Sequence, residues 1–273
     1  MSKSPKLTLL FLLFLSLAGC TQDLITGKKV YNWFSLDQDV KLGNEVITAQ
    51  LQELQKKNKK VDEAADPAMT EKIRKMTRRI AAVSHYPNFP FEAHYADVDI
   101  VNAWCAPGGK VMVYSGLFDP KKGLVDKKSD DELAAVLGHE ISHATARHVT
   151  RSMSRSLTIM LVGQAAVSAI SASGAGAVQN AFNQAIVEGI NLYIPAYSRK
   201  NESEADRIGI MYAAKAGYNP QAAVDLWYRA CKKQGRPADV YASHPSNCAR
   251  AKALEALLPE AMIEYEKTRN LSR

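Results

Sequence analysis

The feature that most constrains this chain is one run near its middle, Leu133-Ala-Ala-Val-Leu-Gly-His139-Glu140-Ile-Ser-His143. Its spacing predicts a helix. Ser129 or Asp130 can cap the first turn, and Asp130, Asp131 and Glu132 lie where the helix dipole favours negative charge. Leu133, Val136, Leu137 and Ile141 recur at the interval of a helix packed on a core. His139 and His143 stand at i and i+4, so both imidazoles leave one face and can share a metal ion. Glu140 leaves another side, where a carboxylate can act as a base on a water instead of ligating. Two ligands and a base on one turn form the H-E-x-x-H pattern of metal-assisted hydrolysis.

The competing interpretation is a chance pair of hydrogen-bonded histidines, and a third ligand decides between the two. A catalytic zinc takes three protein ligands and leaves a position open. The arrangement with a Gly and a third His just downstream is excluded, because those positions hold Ala146 and Val149. His148 follows His143 by five residues, about 500° around a continuous helix, and reads as structural. A later segment fits better: Tyr197-Ser-Arg-Lys-Asn-Glu202-Ser-Glu204-Ala-Asp206-Arg-Ile-Gly209. Glu202 and Asp206 are i and i+4, so a ligating carboxylate and a supporting one can face the metal together. Asp206 could accept the free N–H of a ligating His and fix its tautomer. Glu204 should point elsewhere.

These motifs, His139-Glu140-Ile-Ser-His143 with Ser198-Arg199, Glu202, Glu204-Ala205-Asp206 and Gly209, resemble the Oma/HtpX-type gluzincin metallopeptidases. Within that family the chain is most similar to bacterial periplasmic lipoprotein members. The likeness extends upstream through Asn102-Ala-Trp-Cys-Ala-Pro-Gly-Gly-Lys-Val-Met-Val-Tyr-Ser-Gly116-Leu117 and downstream to Ser243-His244-Pro245-Ser246. It implies an α+β, mostly helical, zincin-like fold with a small sheet over the active helix. It also implies one Zn²⁺ per chain on His139, His143 and Glu202, with Glu140 as general base and then acid. His244 and Arg250 are the implied oxyanion donors, and His244 could alternatively close on the zinc as an inhibitory fourth ligand. The expected activity is a zinc endopeptidase of the bacterial cell envelope acting on misfolded or unassembled proteins. The alternative is a periplasmic chaperone or assembly factor with a structural metal site.

Compartment follows from the ends and the cysteines. Residues 1–19 read as a signal peptide: Lys3 and Lys6 form a basic start, and Leu7 to Leu17 is an apolar run too short to span a membrane. Leu17-Ala18-Gly19-Cys20 resembles a lipobox, so Cys20 is the expected lipidation site and membrane anchor. Several acyl chains on one Cys hold a protein stably where one does not. Thr21 after it suggests the periplasmic face of the outer membrane, by resemblance to enteric lipoproteins. Residues 20–34 then form a tether and 35–268 the metallopeptidase domain. In an oxidising periplasm, three remaining cysteines give one disulfide and one thiol. Cys231 ends one predicted helix and Cys248 begins the next, so they are the expected pair, leaving Cys105 as a buried thiol on a strand.

Composition excludes more than it identifies. Lys+Arg number 35 against 28 Asp+Glu, but the lysine clusters carry no interleaved aromatics, which argues against nucleic-acid binding. A 47% hydrophobic content suffices for a sizeable core. Helices are predicted from Ser35 to the Lys56–Lys60 run, from Asp66-Pro67 to about Val83, from Gln221 to Lys233 and over 246–268 with an interruption at Pro259. Short strands are predicted at Phe91–Ala96, Val101–Ala106 and Lys110–Tyr114. By resemblance to other zincins, one of these is an edge strand over the metal, to which an extended substrate adds by backbone hydrogen bonds. Asn102 and Ala103 are the positions expected nearest that cleft. Leu157–Val178 has no charge, yet its Gln164, Ser and Gly favour a buried or amphipathic helix over a spanning one.

Overall fold

The computed structural model describes residues 20–168, 197–232 and 248–271. The expected signal peptide and His244 therefore lie outside the described residues. The expected tether includes regular structure. It forms a hairpin of β1 (Cys20–Gln22) and β2 (Lys29–Tyr31), turned by Gly27 at φ +68 and by the Asp23 carboxylate accepting from the Ile25 N–H at 2.8 Å.

Helix starts follow local chemistry. Ser35 opens α1 (Leu36–Lys56) with a reciprocal capping box to Gln38, and Asp66 caps α2 (Pro67–Ala81) with proline in the first turn. Ser129 caps α3 (Asp130–Thr145), the helix that carries the H-E-x-x-H run. Then come α4 (His148–Ser168), α5 (Arg199–Lys215), α6 (Gln221–Lys232) and α7 (Cys248–Leu271). The expected interruption at Pro259 is absent: α7 runs through it, giving up one backbone N–H bond. Among the described residues no helix is long and apolar enough to cross a membrane.

Between α2 and α3 stand β3 (Glu92–Ala96), β4 (Ala103–Ala106) and β5 (Lys110–Tyr114), in sheet order β3-β5-β4. β3 runs parallel to β5, and β4 antiparallel to it along an edge. Alternation sorts their side chains into two layers. Ala93, Tyr95, Ala103, Cys105, Val111 and Val113 join the main core, with Ile73 and Ile80 of α2, Leu137 and Ile141 of α3, and Leu226 of α6. Trp104, Met112 and Tyr114 face the other way, against Leu42, Val46, Ile47 and Leu54 of α1. The sheet is thus sandwiched between α1 and the layer that carries the active helix.

Two further contacts position that helix. At its end Arg147 adopts φ +55, and its guanidinium is held by Asp39 of α1 (Nε to Oδ2, 2.5 Å) and the Phe34 carbonyl. Across its middle, Gly138 and Gly209 of α5 bring two helix backbones together. A Cβ on Gly209 would stand 2.7 Å from the His139 nitrogen and 2.8 Å from the Gly138 carbonyl carbon. Only hydrogen fits there.

Candidate metal centre

α3 and α5 cross with their polar faces turned to one another. His139 and His143 project from α3 one turn apart, and Glu202 projects from the first turn of α5, which Ser198 caps. All three are buried. Nε2 of His139 and Nε2 of His143 are 3.1 Å apart. The Glu202 carboxylate lies 3.5 Å from the first (Oε2) and 3.4 Å from the second (Oε1). Three donors on one tetrahedral zinc, with bonds of about 2.0–2.2 Å, stand about 3.3–3.6 Å apart. The two nitrogens at 3.1 Å, each with a different Glu202 oxygen 3.4 or 3.5 Å away, stand close to that spacing, and imidazole and carboxylate are donors zinc accepts.

Behind these donors is a buried ionic frame. Asp206 Oδ1 accepts from His139 Nδ1 at 3.0 Å, so Nε2 is the nitrogen left to face the other donors. Arg250 of α7 grips Asp206 through two bonds, Nε to Oδ2 at 2.8 Å and Nη2 to Oδ1 at 2.6 Å. Its Nη1 reaches Glu202 Oε2 at 2.9 Å, and the Trp227 ring lies 3.7 Å beneath its guanidinium carbon. Arg250, the expected oxyanion donor, is thus placed within this frame. Its guanidinium is engaged by two carboxylates within the frame, because the first turn of α7 packs under α5.

The electrostatics of the two histidines diverge. Burial alone would lower His139, but hydrogen bonds to Asp206 and Glu202 outweigh it and hold its pKa up at about 9. For His143, burial and the neighbouring His139 and His148 prevail over Glu202, and its pKa falls well below the ordinary value. Asp206, although buried, is held below the usual carboxylate range by Arg250 and His139.

Glu140 is fully buried. Burial, with the Glu140 charge adding to it, pushes the Cys105 thiol and the Tyr197 hydroxyl well up. Cys105 is a buried free thiol on β4. Ala103 begins that edge strand, fully buried, and the preceding Asn102 accepts from the Tyr114 N–H through its carbonyl at 3.1 Å. Cys231 and Cys248 are joined in a disulfide across 17 positions. It ties the end of α6 to the start of α7, two residues before Arg250. Cross-linking over such a loop is worth about 3 kcal/mol, so Cys231→Ser should lower the unfolding free energy by about that much, and urea titration measures it. An unchanged midpoint would show that helix packing alone fixes α7.

Two residues near the centre escape sequence reasoning. Tyr197 lies flat on the His143 ring, centroids 3.6 Å apart and planes at 22°, and its hydroxyl reaches the Cys105 carbonyl on β4 at 3.4 Å. His148 is not carried around a continuous helix, since α3 ends at Thr145 and the left-handed Arg147 turns the chain back. His148 Nδ1 comes within 2.9 Å of His143 Nδ1. No glycine announces that turn.

Fold and site together fit a class, the metallopeptidases whose active helix bears H-E-x-x-H, here facing a glutamate from a following helix. The model of peptidase family M48 matches residues 67–258. The chain belongs to that family. It is 32% identical over 212 residues to the mitochondrial metalloendopeptidase OMA1 of Arabidopsis thaliana, which covers 76% of this chain and 40% of the relative. It is likewise 32% identical over 197 residues to OMA1 of Schizosaccharomyces pombe, covering 71% and 54%. Against the β-barrel assembly-enhancing protease of Escherichia coli K12 it is 31% identical over 188 residues, covering 66% of this chain and 37% of the relative. The chain thus spans about half, or less, of the length of these relatives.

Proposed function

We propose that this chain is a zinc-dependent endopeptidase of the bacterial cell envelope that hydrolyses peptide bonds in misfolded or unassembled proteins. The observation that carries the reading is the convergence of donor atoms from His139, His143 and Glu202, built on two helices and braced by Asp206 and Arg250. Those three side chains would hold one zinc ion, which would supply Lewis acidity to a water and to the scissile carbonyl. Glu140 takes the proton from that water and returns it to the leaving amine. Asp206 keeps His139 in the ligating tautomer, and Arg250 offsets the charge of the two carboxylates. His244, from the segment between α6 and α7, is the oxyanion donor or the inhibitory ligand.

β4 offers the edge on which an extended peptide aligns near Asn102 and Ala103. Pairing of that kind reads backbone, which suits unfolded chains of many sequences. The name of the β-barrel assembly-enhancing relatives supports an envelope role, and the lipobox-like Leu17-Ala-Gly-Cys20 supports lipid anchoring at the periplasmic face of the outer membrane. The order of the chain from residue 20 would then place the β1–β2 hairpin next to the lipid. Purified protein should contain one zinc per chain and cleave unfolded casein. A chelator should remove both, and added zinc should restore both. Cleavage that persists after complete removal of metal would sink this reading.

A further inference from the structure

The two ligand histidines are held in different ways. His139 turns its second nitrogen to a carboxylate, the usual support for a metal-binding imidazole. His143 turns its second nitrogen to another imidazole: Nδ1 of His148 stands 2.9 Å from Nδ1 of His143. The far nitrogen of His148, Nε2, is 3.2 Å from Glu204 Oε2, and that oxygen is 3.7 Å from Arg151 Nη1. The His148 side chain is 1% exposed and the His143 side chain 0%. Both rings are therefore shielded from bulk solvent.

The protons on these rings can be placed by elimination. His143 Nε2 faces His139 and Glu202, and to ligate a metal it must present a lone pair. The single proton of a neutral His143 is then on Nδ1, and the only role left to His148 Nδ1 is acceptor. A neutral His148 carries its own proton on Nε2, where Glu204 accepts it. Had a carboxylate stood in the place of His148, its charge would lie directly against a centre that already holds Glu202 and Asp206. An intervening imidazole moves that charge one ring outward.

We propose that His148 is a positioning residue: it fixes the ligating tautomer of His143 and passes the influence of the Glu204 carboxylate through its own ring to the metal centre. The proposal rests on the metal-centre reading above and deepens it. It explains why Glu204, facing away from the zinc donors, is nonetheless turned inward at the end of a hydrogen-bonded chain. Tyr197, stacked on His143, restrains the same ring from its face, so the imidazole has neither rotational nor tautomeric freedom.

The test is zinc affinity, measured by competition with a chromophoric chelator on the full chain, with ring ¹⁵N spectra of the zinc-loaded protein. Loss of a partner behind a ligating histidine weakens metal binding about 10–100-fold. His148→Leu should fall in that range. His148→Asn, whose amide oxygen can still accept from His143 Nδ1, should recover part of it, and Glu204→Gln, which removes only the charge, should show a smaller loss. The spectra should place protons on His143 Nδ1 and His148 Nε2. Wild-type affinity in both Glu204→Gln and His148→Leu, or a proton on His148 Nδ1, overturns the proposal while the zinc site stands. A lowered melting temperature with unchanged zinc affinity overturns it too, since that is the outcome of mere core filling. If the wild-type chain takes up no zinc, the metal reading itself fails and this one falls with it.

Discussion

Glu140→Gln should abolish casein cleavage while leaving zinc in place. The glutamine keeps the volume and one acceptor of the buried side chain but cannot take a proton from water or return it to an amine. General acid–base groups contribute about 10²–10⁴-fold, so the residual rate should lie at least that far below wild type. Zinc should stay because the proposed donors are His139, His143 and Glu202, and Glu140 is not among them. The pair of measurements, cleavage rate and zinc stoichiometry, separates this outcome from its rivals. Near-wild-type cleavage by the variant would remove Glu140 from the mechanism. A wild-type protein that binds zinc, cleaves nothing and suppresses aggregation would favour the chaperone alternative.

Gly209→Ala should damage the centre without touching a single polar side chain. The added methyl would sit 2.7–2.8 Å from backbone atoms of Gly138 and His139. Backbone in the middle of a helix cannot swing aside as a side-chain tip can, so α5 must move away from α3. Overpacking of this kind costs about 1–3 kcal/mol and sometimes more. The larger effect should be on activity. Glu202 and Asp206 ride on α5, and a displacement near 1 Å at a reacting centre can cost about 10²-fold. The expected result is a modest fall in urea midpoint, weaker zinc binding and a cleavage rate reduced by about two orders of magnitude. A variant with wild-type zinc affinity and rate would show that the helix contact does not set the donor geometry.

Much of this molecule is legible in its sequence. Caps at Ser35, Asp66, Ser129 and Ser198 are side-chain-to-backbone bonds within four residues, so local sequence determines them. The strand triplet follows from alternation, and its two faces then sort themselves between two cores. His139, His143, Glu202 and Asp206 are readable because i and i+4 on a helix share a face whatever the rest of the chain does. Where the signal is not local, the sequence is less legible. Residues 20–34 lack periodicity and read as a tether. They form a hairpin because distant partners on α4 fix the residues just beyond β2: Asn32 donates to Thr150 at 3.1 Å, and the Trp33 N–H to Ser154 at 2.9 Å. Pro259 lies inside α7 rather than interrupting it, since a helix can give up one backbone bond where packing holds both sides.

The sequence by itself determined which side chains could bind one metal and which helix would present each of them, because helical periodicity is a property of neighbouring residues. It also named the pair of cysteines that could close between two helices. Only the tertiary structure decided how near the two helices come, through Gly138 against Gly209, and which groups stand behind each ligand. Arg250 lies 44 residues from Asp206 and 48 from Glu202, and meets them only in the folded chain. His148 meets His143 because Arg147, pinned by Asp39, turns the chain through a left-handed conformation. Such contacts depend on long-range burial and charge pairing, which no periodicity along the chain encodes.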